Sequence, residues 1–131
     1  NIIIDTSVWV ALLIKSDSNH PKTLKYKKMF IQEQTMPDLI FYETLTVLRN
    51  KSGDDYPIQM FIGFTTENID MTIRLFYEDN RDVLKMFINE QKDGLSYIDA
   101  LLLFLSKEYH ILTFDEKLKK RIKEVGGKLV N

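Results

Sequence analysis

Short apolar runs alternate with helix-forming segments along this 131-residue chain, and this alternation strongly restricts the folds it can adopt. Residues 2–4 and 111–114 are predicted to be buried strands, 34–36 a short extended stretch, 71–77 a weak edge strand and 128–130 a last strand. Strands that alternate with helices predict a parallel sheet with helices on both faces.

The helices between these strands are predicted from their apolar periodicity, their caps and the residues that break them. Asp38 is predicted to cap a helix that runs to about Asn50, and Gly94 to end a helix over 79–92. The apolar segment 57–64 fits either a short helix or a buried loop. The remaining helices are expected over 6–14, 21–32, 96–108 and 116–125.

The composition is that of a globular protein with a hydrophobic core. Apolar residues make up 44% and charged residues 28%, and the length suits one domain over residues 1–131. Cysteine is absent, which excludes a disulfide scaffold, a thiolate zinc site and a cysteine nucleophile. No apolar run is long enough to span a bilayer and no signal-peptide pattern opens the chain, so we expect a cytoplasmic protein without a membrane partner.

Charge is distributed unevenly along the chain. The net charge of −1 excludes a bulk polycation of the kind that coats nucleic acid. However, six basic residues lie between Lys117 and Lys128, and four lysines lie between Lys22 and Lys28. These two clusters could hold phosphate groups, or they could be the solvated faces of surface helices.

Four acidic residues occur in contexts too apolar for ordinary solvated charges. Asp5 follows residues 2–4, Asp99 precedes a run of apolar residues, and Asp115 follows 111–114. Glu43 lies among leucine and aromatic residues in the predicted helix after Asp38. Acidic side chains are rarely buried unless they are paired or bind a metal ion. Brought together, four carboxylates would form an oxygen-ligand site for a hard divalent cation, which suits phosphodiester chemistry.

Helix capping offers another explanation for three of these acids. Asp5 and Asp115 each precede a predicted helix, and Asp99 lies three residues after Ser96 in the Ser-x-x-Asp capping pattern. Glu43 lies mid-helix, where it could instead project from a polar stripe. A cap and a catalytic role do not exclude each other. Because parallel strands end at the same edge of a sheet, we expect Asp5 and Asp115 to lie at one edge, where α/β folds bind ligands.

Two hydroxyl side chains accompany these acids. Ser7 lies two residues after Asp5, and Thr113 lies two residues before Asp115. Each hydroxyl could bond to a carboxylate or to a phosphate oxygen, or it could satisfy a local turn.

The four acidic segments resemble those of the PIN-domain family of metal-dependent ribonucleases. The matching segments are Ile2-Ile3-Ile4-Asp5-Thr6-Ser7, Pro37-Asp38-Leu39-Ile40-Phe41-Tyr42-Glu43, Ser96-Tyr97-Ile98-Asp99-Ala100 and Leu112-Thr113-Phe114-Asp115. The resemblance implies a three-layer α/β/α sandwich around a parallel sheet of about four to five strands. It also implies an acidic site for Mg²⁺ or Mn²⁺ that is formed by Asp5, Glu43, Asp99 and Asp115.

The same resemblance implies supporting residues and partners. Ser7 or Thr113 would be a supporting hydroxyl, and Glu116 stands where many relatives carry a further acid. Within the family, the length and the compact ending resemble the VapC-type toxins of toxin–antitoxin pairs. This implies hydrolysis of RNA to products with a 5′-phosphate and a 3′-hydroxyl, a small antitoxin as a partner, and a homodimer.

Two other functional classes share parts of this pattern. A receiver-type phosphoacceptor domain has a parallel sheet and an acidic pocket, but its first strand ends in an adjacent acidic pair, whereas Asp5 stands alone. A catalytically silent module that binds RNA or protein would keep the fold without the chemistry. The apolar segment 57–64 could be a partner groove, a dimer face or part of the core.

Overall fold

The computed structural model describes residues 1–68, 71–74 and 80–131, and of residues 72–74, 80 and 92 the backbone alone. Within these residues, one parallel sheet contains four strands. They are β1 (Ile2–Ile4), β2 (Gln34–Pro37), β3 (Met71–Arg74) and β4 (His110–Leu112), in the spatial order β3-β2-β1-β4. The predicted α/β class and the expected number of strands are confirmed.

Helices connect the strands and pack into two groups. The first group contains α1 (Thr6–Leu13), a 3₁₀ helix (His20–Ile31), α2 (Asp38–Lys51) and α3 (Tyr56–Glu67). The second contains α4 (Asn80–Asn89), a 3₁₀ turn (Gln91–Asp93), α5 (Tyr97–Leu105) and α6 (Glu116–Glu124). With the sheet, these groups form the three-layer α/β/α arrangement. In the part of the chain described here, none of these helices has the length and apolar character needed to cross a membrane.

Strands β1 and β4 bring distant acidic segments to one edge of the sheet. Ile4 pairs with Leu112 in a parallel register, and the Asp5 N–H donates to the Leu112 carbonyl at 2.9 Å. Because both strands run in the same direction, Asp5 and Thr113 leave the sheet side by side. The last two residues of each strand are buried, which explains why both strands end in aliphatic residues: Ile3, Ile4, Ile111 and Leu112.

An aromatic cluster anchors α1 on the first group of helices. The Trp9 side chain is fully buried, and its ring packs edge-on against Phe30 and Phe61 at centroid distances of 5.1 and 5.2 Å. Phe64 lies 5.7 Å from the same ring. Such pairs each contribute about 0.5–1.5 kcal/mol beyond their buried area. The segment 57–64 is therefore a helix that contributes Phe61 to the core, although Met60 beside it remains exposed.

The end of β4 differs from the sequence prediction. The strand was expected over 111–114 but ends at Leu112, because the N–H groups of Phe114 and Asp115 bond to the hydroxyls of Ser7 and Thr113 instead of to a neighbouring strand. The last strand expected over 128–130 is reduced to an isolated bridge beside Ile111.

Several helix ends were also predicted incorrectly. Asp38 is the first residue of α2, not its cap, because the extended Pro37 occupies the cap position. The helix expected over 96–108 ends at Leu105, where the buried Ser106 hydroxyl donates to Leu103. Gly94, with φ of 67°, ends the 3₁₀ turn that follows α4 instead of ending α4 itself. Of the predicted segments 71–77 and 79–92, residues 75–77 and 79 lie outside the described residues.

Candidate active site

Asp5 is the most constrained carboxylate at the edge of the sheet. It caps α1, with Oδ1 accepting the Thr6 N–H at 2.8 Å. Oδ2 accepts the hydroxyls of Ser7 at 3.0 Å and of Thr113 at 2.7 Å. The side chain is almost wholly buried, so its negative charge is stabilised by three hydrogen bonds and not by bulk water.

The proton affinity of Asp5 reflects this burial. Removal from water raises the pKa of Asp5 from 3.8 to about 6, although the bonds from Thr113 and Ser7 oppose that change. The negative charges of Asp99 and Glu43 raise the pKa further. Both acids are therefore electrostatic neighbours of Asp5, although they are distant from it in the sequence.

The two hydroxyls that bond to Asp5 also accept hydrogen bonds from the segment after β4. Ser7 Oγ accepts the Phe114 N–H at 3.1 Å, and Thr113 Oγ1 accepts the Asp115 N–H at 3.1 Å. The hydroxyl oxygens lie 3.4 Å apart. Ser7 and Thr113 thus tie the end of β1 to the start of α6, and hold the backbone of Asp115 beside Asp5.

Asp99 and Asp115 are helix caps whose charges interact. Asp99 and Ser96 form a reciprocal capping box at the start of α5, and Asp115 Oδ1 accepts two N–H groups at the start of α6. Burial raises the pKa of Asp99, the Ser96 N–H opposes this, and the charge of Asp115 raises it further. The backbone N–H groups bond to Oδ2 of Asp99 and to Oδ1 of Asp115.

Glu43 reaches the same region from α2. Its side chain is half-buried, and it contributes negative charge at Asp5. Among the described residues, no hydrogen bond or ion pair holds the Glu43 carboxylate, in contrast to the three aspartates. The structure therefore brings all four predicted acids into one electrostatic neighbourhood.

Glu116 occupies a different environment. Its side chain is exposed, and its carboxylate lies 3.5 Å from the Lys119 ammonium one turn along α6. Such an exposed pair contributes about 0–1 kcal/mol. The contacts of Glu116 link it to the basic surface of α6 and not to the other acids.

The oxygen atoms of this site suit a divalent cation. Carboxylate and hydroxyl oxygens are the hard ligands that Mg²⁺ and Mn²⁺ prefer, and a cation would remove the mutual repulsion that raises the pKa values of Asp5 and Asp99. Within the described part of the chain, however, no three histidine or acidic side chains lie close enough together to hold a metal ion as they stand. The chemistry of the residues fits a metal ion, which one or two of these carboxylates would hold together with water and a substrate phosphate.

Two polar contacts near the site were not predicted from the sequence. The buried hydroxyls of Thr6 and Thr44 lie 3.0 Å apart and join α1 to α2. Arg121 of α6 donates to both carboxylate oxygens of the buried Glu90, at 2.7 and 2.8 Å. Neither pair has a sequence signal, because each joins residues more than thirty positions apart.

The fold and the clustered acids together define the class of protein. A family model of the PIN domain matches residues 2–124, so this chain belongs to the PIN-domain family. The resemblance inferred from the four acidic segments is thereby confirmed.

Solved structures extend this assignment at the level of the fold. The crystal structure of VapC20 from Mycobacterium tuberculosis, a toxin that cleaves the sarcin–ricin loop, matches with a TM-score of 0.76 and 16% identity, over 92% of this chain and 94% of that one. The protein PAE2754 from Pyrobaculum aerophilum matches with a TM-score of 0.62 and 16% identity, over 98% of this chain and 82% of that one. A search of curated proteins found no significant match.

Proposed function

We propose that this protein is a divalent-metal-dependent endoribonuclease that hydrolyses RNA phosphodiester bonds, and that it acts as the toxin of a toxin–antitoxin pair. Membership of the PIN-domain family supports a nuclease, and the fold of the toxin VapC20 supports the narrower assignment. Among the alternatives, family membership counts against a receiver-type phosphoacceptor domain.

The observation that carries this proposal is the environment of Asp5. A buried carboxylate whose pKa is raised to about 6 by burial, and further by neighbouring acids, is costly to keep ionised. Such a group in a candidate site is a recognised mark of function. A cation bound by Asp5, Glu43, Asp99 and Asp115 would account for four acids that otherwise repel one another.

The roles of the individual residues follow from their contacts. A bound Mg²⁺ or Mn²⁺ would acidify a water molecule and neutralise charge that develops on the phosphate. Asp5, held by Ser7 and Thr113, would provide the fixed ligand. Asp99 and Asp115 would each offer the oxygen that their helix cap leaves unused. The expected products carry a 5′-phosphate and a 3′-hydroxyl.

The expected substrate is single-stranded or loop RNA. Sequence-specific recognition of RNA mostly targets unpaired bases, which an open edge of a sheet can reach more readily than a duplex. Lys117, exposed in the first turn of α6, lies two residues after Asp115 and is suited to hold a substrate phosphate. Glu116 would contribute charge at the margin of this surface.

The toxin assignment brings two protein partners into the proposal. A small antitoxin would cover the acidic site, and an arginine from it would suit the carboxylates, since arginine binds carboxylates with two parallel bonds. A two-fold homodimer is proposed because such dimers are the commonest soluble assemblies. These partners fit a cytoplasmic protein.

Cleavage of a labelled RNA rich in loops tests the enzymatic part of the proposal. The wild type is assayed with Mn²⁺, with Mg²⁺ and with EDTA, beside Asp99→Asn and the control Asp82→Asn, which changes an exposed aspartate of α4. We expect metal-dependent cutting by the wild type and by Asp82→Asn, and its loss in Asp99→Asn. Equal cutting by Asp99→Asn would contradict the proposed site.

A catalytically silent RNA- or protein-binding module is the second candidate. Within the described residues no group of three or more acidic or histidine side chains is gathered as a metal site, and this observation favours a module without chemistry. Calorimetric titration with Mn²⁺ separates the two candidates. A folded wild type that neither cuts RNA nor binds Mn²⁺ would establish the silent module.

A further inference from the structure

A buried threonine pair joins the two helices that carry Asp5 and Glu43. Thr6 is the first residue of α1, Thr44 lies in the middle of α2, and their hydroxyl oxygens are 3.0 Å apart. Each threonine directly follows one of the two acids in the sequence. A displacement of one threonine relative to the other would therefore also displace the acids.

Thr44 interrupts an apolar stripe on α2. Ile40, Thr44 and Leu48 recur at four-residue spacing and are each completely buried. Apolar contacts are not directional, so Ile40 and Leu48 hold α2 against its neighbours without setting a unique register. A hydrogen bond between buried hydroxyls is directional, so it adds an orientation that the apolar contacts of this stripe do not specify.

Other threonines in the helices use their hydroxyls differently. Thr46, Thr65 and Thr66 each donate to a carbonyl one turn back in their own helix, at 2.7–3.1 Å. This local bond is the usual choice of a helical threonine. Thr44 instead bonds to Thr6 of α1. Its hydroxyl therefore joins two helices and does not serve a carbonyl of α2.

Glu43 lacks the local supports that the other acids have. Asp5, Asp99 and Asp115 are each fixed by at least one backbone N–H. Within the described residues, the Glu43 carboxylate has no such bond, so its position depends on where the backbone of α2 lies.

We propose that the Thr6–Thr44 hydroxyl pair is a positioning device that fixes α2 against α1, so that Glu43 and Asp5 bind one divalent cation together. The proposal rests on the metal-dependent site proposed above. Neither threonine is a ligand; they act through Glu43. Residues that orient metal ligands in this way typically change metal affinity by about 10–100-fold when they are mutated.

The test is a calorimetric titration of the metal-free protein with Mn²⁺ at constant pH. Thr44→Val replaces the hydroxyl by a methyl group of similar size, and we expect its Kd for Mn²⁺ to rise about 10-fold. Thr44→Ser keeps the hydroxyl and is expected to restore the affinity. The control is Thr65→Val, which removes another buried threonine hydroxyl, one that bonds within α3.

A Glu43→Gln background separates positioning from a general structural effect. If Thr44 acts through Glu43, Thr44→Val will cause no further loss of affinity in that background. A full additional loss there, or an unchanged Kd for Thr44→Val in the native background, would overturn the inference. If urea titrations show that Thr44→Val does not fold, Thr6→Val tests the same hydrogen bond from α1. A Kd for Mn²⁺ in Thr6→Val equal to that of the wild type would then overturn the inference.

The same titrations distinguish this inference from the proposed function. A wild type that does not bind Mn²⁺ would refute both. A Glu43→Gln variant that binds it normally would refute the inference and remove Glu43 from the proposed site, without deciding whether the protein cuts RNA. Normal binding by the wild type and weakened binding by Glu43→Gln, together with an unaffected Thr44→Val, would refute the positioning role alone.

Discussion

Substitution of Asp5 by asparagine should remove a pH dependence from the stability of the metal-free protein. The pKa of Asp5 is about 6 in the folded state, against 3.8 for an unperturbed aspartate. Well below pH 3.8 the carboxyl is protonated in both the folded and the unfolded state, so its contribution to stability is fully present. As the pH rises from 3.8 to about 6, the unfolded chain loses this proton while the folded protein retains it, so stability falls, and the loss is complete once the pH has passed the folded pKa.

The size of the effect follows from the same two values. Each pH unit of pKa difference is worth about 1.4 kcal/mol, so the ionised Asp5 costs the folded protein about 3 kcal/mol at pH 7. Asp5→Asn keeps an oxygen to accept the Thr6 N–H and places an amide before the Ser7 and Thr113 hydroxyls. Because the unfolded chain is already partly ionised at pH 4, we expect the wild type to lose about 2.5 kcal/mol more than Asp5→Asn between pH 4 and pH 7.

Urea unfolding in EDTA, at several pH values from 4 to 7.5, measures this difference. Trp9 is the only tryptophan in the sequence and is fully buried, so its fluorescence reports the transition. Asp82→Asn serves as the control and should follow the wild type. Curves of stability against pH that run parallel for the wild type and Asp5→Asn would refute the reasoning, because they would show that Asp5 ionises as freely in the folded state as in the unfolded state.

Three further changes probe the contacts around the site. Thr113→Val removes a hydroxyl that favours the ionised form of Asp5, so in the same urea series the pH-dependent loss of stability should extend to higher pH. In calorimetry, the Kd of this variant for Mn²⁺ should rise about 10-fold. Arg121→Met removes both bonds that the arginine donates to the buried Glu90 and should lower the free energy of unfolding by about 3 kcal/mol, whereas adding Glu90→Leu should restore most of it; equal stabilities would show that the pair is dispensable. Gly127→Ala should lower the melting temperature, at a cost of about 1–3 kcal/mol, because the added Cβ would overlap a buried serine hydroxyl; an unchanged thermal unfolding curve would contradict that packing.

Local sequence was enough to predict the parts of the site that depend on local structure. The apolar run 2–4 predicted a buried strand with Asp5 at its carboxyl end, and the structure has this arrangement. The spacing of Ser96 and Asp99 predicted a capping box, which is also present. Both patterns involve residues within a few positions of each other, where backbone geometry determines the contacts.

Contacts between distant elements could not be predicted in the same way. The end of β4 at Leu112 depends on hydroxyls of Ser7 and Thr113 that accept backbone N–H groups, and Ser7 lies more than a hundred residues away. The Thr6–Thr44 bond likewise depends on how α1 and α2 pack. A hydroxyl has many local alternatives in a sequence, and only the packed structure shows which partner it has.

The two explanations of the acids as caps and as metal ligands describe the same atoms. At Asp99 and Asp115, the backbone N–H groups bond to one carboxylate oxygen, so capping orients the carboxylate and the other oxygen remains for a metal ion in the proposed site. At Asp5, both oxygens accept hydrogen bonds, and the group still has a raised pKa because burial outweighs those bonds. Capping thus fixes the three aspartates of the site, and burial makes Asp5 and Asp99 costly to ionise. A divalent cation would offset that cost, so its binding should stabilise the folded protein most at the pH values where the metal-free protein is least stable.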